Sequence, residues 1–272
     1  MLRIGLIGLG AIGTEIAKAV ARGYLKMELT AVYDLDKNKA ERILKALRLN
    51  SKVCKSFEEF IKQDIDLAVE AASQEAVKEF LIRILERGKD VLIMSTGALA
   101  DRNLLTKALE LAERKNCKIY LPSGAIGGLD IVKAASFGKI RRICLRTTKN
   151  PESFKDAPYV KLKKIDLSKI DSKKVIYRGK AEEAVKYFPA NVNVAATLGI
   201  AGVGMEATTI EIVADPNVKR NIHEIIIEGE FGKATVKLEN LPFKKNPKTS
   251  KIAAFSAIML LKRITSRLEI GT

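Results

Sequence analysis

The chain has no tryptophan, one histidine, two glutamines and three cysteines in 272 residues. Each scarcity excludes something. Cys54, Cys117 and Cys144 are odd in number, far apart and without a CxxC pair. A disulfide framework is therefore not expected, and a reducing compartment fits. One histidine beside three scattered cysteines supplies no zinc-ligand set, so no metal site is expected. Aromatic residues are 6% of the chain, too few for a base-stacking platform. The formal net charge is +16, but the basic residues are interleaved with Glu and Asp rather than blocked. That pattern reads as a solvated lysine-rich surface and not as a nucleic-acid partner. The apolar run IAAFSAIMLL (252–261) stands between Lys251 and Lys262-Arg263, too short for a bilayer, and reads as a buried helix. The N-terminal MLRIGLIGLGAIG has one basic residue, several glycines and Glu15 just beyond. It reads as a buried first strand with its turn rather than a signal peptide. A cytoplasmic protein without a membrane or nucleic-acid partner is expected. The many Lys, Glu and Ile lean toward a thermophilic source.

With 47% apolar and 29% charged residues the chain is an ordinary globular one. LRIGLI (2–7) is a short apolar run, GLGAIG (8–13) a glycine turn, EIAKAVARG a helix and LTAVYD (29–34) a strand. Strand, glycine turn, helix, strand is the opening of a dinucleotide-binding unit. Gly8 permits the tight turn, Gly10 lets the backbone approach a pyrophosphate, and Gly13 lets the helix pack close. Ala11 and Ile12 lie between these glycines at the helix N-terminus, whose free N–H groups favour phosphate. Asp34 ends the second strand about 20 residues after the last glycine, where a carboxylate would accept from ribose hydroxyls. It would repel a 2′-phosphate, so NAD is favoured, with NADP possible because Lys37 and Lys39 stand close by.

Strands at 65–72, 90–96 and 117–122 alternate with helices at 74–88 and 102–115, as in a doubly wound parallel sheet. Ligands of such sheets bind at strand carboxyl ends. Here those ends carry small residues, among them Ala71, Ser95-Thr96-Gly97 and Ser123-Gly124-Ala125. After about residue 140 the pattern changes. Strands are expected at 139–150, 209–216, 221–229 and 232–241, the close-set ones pairing antiparallel. The predicted fold is therefore α/β. A Rossmann doubly wound sheet (1–122) precedes a second α+β domain on a mainly antiparallel, open-faced sheet (123–245). A C-terminal helix segment (246–272) packs back on the first domain. The stretch 182–204 reads as a helix interrupted at Pro189, with Asn191 near the second helix start. There the Asn191 amide could meet a nicotinamide carboxamide. Period-2 counting puts the lone His223 on one face with Asn221, Ile225 and Ile227. From spacing alone it is either a core histidine or a catalytic one.

The segments VEAASQEAV (69–77), LPSGAIGGLD (121–130), FPANVNVAATLGIAGVG (188–204) and NIHEIIIEGEFGKATVKLEN (221–240) resemble L-aspartate dehydrogenase. The resemblance runs along nearly the whole chain. SGAIGG and NVNVAA are far more specific than the glycine turn. The resemblance implies oxidation of L-aspartate with NAD or NADP to iminoaspartate, then oxaloacetate and ammonia, at the first step of NAD biosynthesis. It implies His223 as the active-site residue, Ala125 and Asn191 as cofactor contacts, and a homodimer. An imidazole with a pKa near neutrality would take the amine proton. The cation of NAD⁺ is the electron sink, so no metal is required. The dicarboxylate needs cationic or hydroxyl partners that the sequence does not single out. A second reading is another Rossmann dehydrogenase or reductase on an aspartate-derived substrate, homoserine or dihydrodipicolinate reductase-like. A remote third is a non-enzymatic NAD-binding regulator.

Overall fold

The computed structural model describes residues 1–189, 192–243 and 246–271. The chain forms two compact units, one from Met1–Pro122 with Ala253–Glu269, the other built on Ser123–Ile252.

The first unit opens with β1 (Leu2–Ile7), α1 (Ala11–Ala21), β2 (Met27–Tyr33), α2 (Lys37–Ala46), β3 (Lys52–Val53) and α3 (Phe57–Ile61). It continues with β4 (Leu67–Glu70), α4 (Gln74–Glu86), β5 (Asp90–Ile93), α5 (Arg102–Lys115) and β6 (Ile119–Tyr120). The strands pair in the order β3-β2-β1-β4-β5-β6, every pairing parallel. The order reverses between β1 and β4, which makes a crevice at their carboxyl ends. Apolar runs make these strands. All four residues of β4 are buried, as expected of a central parallel strand covered on both faces. Polar side chains cap α2 to α5: Ser73, for one, accepts from the Ala76 N–H at 3.2 Å to begin α4. The core includes Ile4, Leu6, Ile16, Val32, Val69 and Leu92. Ala253, Ala257 and Leu261 of the C-terminal helix belong to the same core.

The second unit contains α6 (Leu129–Ala135), β7 (Ile140–Lys149), α7 (Pro158–Leu162), β8 (Lys174–Lys180), α8 (Ala181–Tyr187) and α9 (Val192–Ala201). Then come β9 (Thr209–Ala214), β10 (Asn221–Gly229), β11 (Gly232–Asn240) and the short pair β12 (Pro242–Phe243) and β13 (Asn246–Ser250). The helix that follows, α10 (Lys251–Ile264), belongs from Ala253 on to the first unit. Five strands form a sheet in the order β11-β10-β7-β9-β8. Three pairings are antiparallel, and β7 with β9 is parallel. The mixed sheet follows from connection length. β10 and β11 share a tight turn at Gly229–Gly232, whereas β7 and β9 are separated by α7, β8, α8 and α9 and can therefore run the same way. β8 is rich in lysine and lacks clean alternation, so its sequence does not mark it as a strand.

Candidate active site

Within the first unit the glycine turn, Asp34 and Ala71 come together at the carboxyl ends of β1, β2 and β4. Gly8 has φ +91, and its N–H donates to the Tyr33 carbonyl at 2.8 Å. A Cβ there would stand 2.8 Å from the Ala71 carbonyl oxygen and 2.8 Å from the Ala72 Cβ. A Cβ on Gly13 would run into the Gly8 carbonyl. Both positions need glycine for the fold itself. Gly10 differs: a Cβ would meet only the Ala71 carbonyl oxygen, at 4.0 Å. The space beside Gly10 is open, at the N-terminus of α1, where no side chain caps the helix and no acidic residue occupies the first turn. Ala11 and Ile12 form that first turn. The α1 N-terminus thus keeps its partial positive charge and its N–H groups for an anion. Asp34 Oδ2 accepts from the Leu9 N–H at 2.6 Å, and Oδ1 from the Asp36 N–H at 2.9 Å. A carboxylate has about four lone-pair sites, so capacity remains for ribose hydroxyls. Lys39 Nζ lies 3.9 Å from Asp34 Oδ2 and tempers the repulsion of a 2′-phosphate. These residues fit a dinucleotide.

Glu70 closes this edge, and its role was not legible in the sequence. It is buried, and its carboxylate accepts from the Ala72, Met94 and Ser95 N–H groups and from Ser95 Oγ at 2.8–3.2 Å. Burial pushes its pKa up, against the pull of those donors. One side chain thus ties the exits of β4 and β5 together. The available signal was a single acid ending the apolar run LAVE.

Within the second unit His223 lies on β10 directly opposite Thr147 of β7 and Leu238 of β11. Thr147 Oγ1 and His223 Nδ1 share a hydrogen bond of 3.0 Å. Lys149 lies two residues beyond Thr147 and therefore on the same face. Asn240 is opposite Asn221, also on this face, and its Nδ2 donates to the Ala125 carbonyl at 2.8 Å. Thr147, Lys149, His223 and Asn240 are at most 7% exposed. The same face is apolar farther along, at Leu145, Ile210, Ile212, Ile225 and Ile227. A buried polar group of four thus occupies one end of an apolar sheet face. Burial, and then the Lys149 charge, push the His223 pKa down to about 3. Burial lowers Lys149 to about 8. The near-neutral imidazole expected from sequence is thus a firmly neutral one. Asn191 lies outside the described residues. No group of three or more His, Cys, Asp or Glu able to hold a metal occurs among the described residues.

The opposite face of the sheet has different chemistry. Glu211, 1% exposed at its side chain, is held by Arg146 and Arg178 at 2.8 Å each, and Arg146 also reaches Glu224 at 3.5 Å.

Residues 130–264 match the family model described as aspartate dehydrogenase, C-terminal. Residues 8–122 match the homoserine dehydrogenase NAD-binding domain model. The chain is 46% identical to L-aspartate dehydrogenase of Methanosarcina barkeri and 47% identical to that of Methanococcoides burtonii, in each case over 100% of both chains. Among solved structures it is similar to aspartate dehydrogenase from Thermotoga maritima, with TM-score 0.80, 29% identity and 100% of both chains covered.

Proposed function

The chain belongs to the L-aspartate dehydrogenase family, and from that premise we propose how its own residues carry the reaction. The protein oxidises L-aspartate at Cα with NAD(P)⁺ to iminoaspartate, which water converts to oxaloacetate and ammonia. Bound NAD(P)⁺ supplies the acceptor for the hydride. Gly8, Gly10, Ala11, Ile12 and Gly13 shape and line the pyrophosphate turn. Asp34 receives the ribose hydroxyls and favours NAD over NADP. Ala71 lies beside the turn, and Ala125 is held through its carbonyl by Asn240. Asn191 is a further cofactor contact in this reading.

The observation that carries the assignment is the lone histidine, set neutral among polar groups at the end of an otherwise apolar face. Thr147 engages Nδ1, which supports giving Nε2 to the substrate in this reading. In the empty site burial keeps the imidazole neutral with its lone pair free, and the negative charge of a bound dicarboxylate raises its basicity, so that it takes the extra proton of the substrate ammonium and the nitrogen lone pair assists hydride departure. The same nitrogen can then accept a proton from the water that attacks the imine. The proposal includes a homodimer in the cytoplasm. No described helix is long and apolar enough to cross a membrane.

Reduction of NAD⁺ or NADP⁺, followed by absorbance with L-aspartate or L-homoserine as the sole substrate, tests this reading. L-Aspartate is expected to support turnover. Turnover with L-homoserine and none with L-aspartate would overturn it.

A further inference from the structure

We propose that the Glu70 carboxylate is the counter-charge for the nicotinamide half of the cofactor, so that the site favours the cationic oxidised ring over the neutral reduced one. The inference rests on the cofactor reading above and not on which substrate is oxidised. Three observations lead to it.

The first is position. A doubly wound sheet binds a dinucleotide across its switch point, one nucleotide to each half of the sheet. The glycine turn after β1 and Asp34 after β2 give the β3-β2-β1 side to the adenosine half. The exits of β4, β5 and β6 are left for the nicotinamide half. Those exits read Glu70-Ala71-Ala72-Ser73, Met94-Ser95-Thr96-Gly97 and Leu121-Pro122, and Glu70 is the one charged residue in them. The next residue, Ala71, carries the carbonyl that faces the open space beside Gly10. The second observation is the set of partners. Glu70 Oε1 accepts from the Ala72 N–H and from Ser95 Oγ at 2.8 Å each. Oε2 accepts from the Ser95 N–H at 2.9 Å and the Met94 N–H at 3.2 Å. Four donors fill the roughly four lone-pair sites of a carboxylate and favour its charged form. None of the four is a cation, and among the described residues no Lys or Arg forms an ion pair with Glu70. The third is burial. Glu70 is 2% exposed, so water screens its charge little, and it acts on a cation at these strand exits more strongly than a surface carboxylate would.

The arrangement also couples binding to chemistry. NAD⁺ brings a positive ring to this edge of the sheet and NADH a neutral one. A buried negative charge is stabilised by the first and gains nothing from the second. Glu70 therefore holds the oxidised cofactor for the reaction and eases release of the reduced one after it.

The test titrates full-length wild type, Glu70→Gln and Ser95→Ala with NAD⁺ and with NADH by calorimetry, with Tm measured for each. Glu70→Gln keeps the size of the side chain and removes its charge. The ratio of Kd for NAD⁺ to Kd for NADH should rise in it by about tenfold or more. Ser95→Ala removes one donor and keeps the charge, so its ratio should stay within about threefold of wild type. A residue that only ties two strand exits together would weaken both nucleotides alike in Glu70→Gln. A ratio there within threefold of wild type would therefore overturn the inference. So would a Ser95→Ala ratio shifted as far as that of Glu70→Gln, because a lost hydrogen bond and not a lost charge would then be the cause. Wild type alone also decides, even if Glu70→Gln does not fold. A cationic ring drawn from water without a counter-charge binds more weakly than a neutral one, so wild type that binds NADH more than threefold tighter than NAD⁺ would overturn the inference. Wild type that binds neither nucleotide would overturn the cofactor reading and this inference with it. If both bind and L-aspartate is not oxidised, the proposed activity fails on its own, and the titrations still decide the role of Glu70.

Discussion

Mild acid should weaken this protein through one side chain. His223 has a folded-state pKa of about 3, against 6.5 for the free side chain, with burial the larger cause and the Lys149 charge the smaller. The folded value lies below the unfolded one. The stability linked to this group is therefore whole above pH 6.5 and is lost as pH falls from there toward 3. Each unit of pH well inside that window is worth about 1.36 kcal/mol, so the loss is roughly 2 kcal/mol at pH 5 and roughly 4 kcal/mol at pH 3, where the folded imidazole is itself half protonated. Carboxylates add their own losses at lower pH. Asp66, hydrogen-bonded to Arg3, and Glu59, hydrogen-bonded to Lys52, are both held below their usual range. The His223 part is isolated by difference against His223→Gln. Urea unfolding at pH 7, 6 and 5 should show wild type losing roughly 2 kcal/mol more than the variant over that span. Because the chain has one histidine, its imidazole Hε1 resonance is unambiguous. The resonance should stay at its neutral position from pH 8 to pH 5. A titration with its midpoint near 6.5, or equal acid losses in wild type and His223→Gln, would refute the reasoning.

Two further sites separate fold from binding. Gly8→Ala meets backbone at 2.8 Å and a positive φ, so it should lower stability by roughly 1–3 kcal/mol, read as a fall in Tm. Gly10→Ala projects into open space and should leave Tm within about 1–2 °C while weakening NADH binding about tenfold or more, read by fluorescence titration. Asp34→Ser should shift the ratio of NAD to NADP affinity toward NADP by about tenfold, measured as Kd for NADH and NADPH. An unchanged ratio would remove Asp34 from cofactor choice.

The first half of the chain was legible because its chemistry is local. GLGAIG sits between an apolar strand and a helix, and Asp34 follows at ribose distance. Only the strand ends were overdrawn: 90–96 is strand to Ile93 and then turns into a short 3-10 segment at Thr96–Ala100. The second half was less legible because its sheet is assembled from distant pieces. The parallel pairing of β7 with β9 depends on what lies between them, and β8 carries a weak alternating signal. Lys149 was invisible in KIRRICLRTTKN, where it is one basic residue among several. Its partnership with His223 exists only once Thr147 and His223 are known to be opposite each other. Glu70 was hidden for the same reason, since its hydrogen-bond donors lie on a second strand exit. His223 could be placed on a face from sequence, but not the depth of its burial, so its pKa was expected near neutrality.

The account stands most directly on one kinetic comparison. Wild type and His223→Ala are assayed side by side for NADH formation from L-aspartate and NAD⁺ at elevated temperature, with NADH binding measured in both. The account predicts turnover in wild type, and in the variant intact NADH binding with a loss of at least about 100-fold in kcat, as expected for removal of a general base. A variant that binds NADH and turns over at nearly the wild-type rate would contradict it and return His223 to the core.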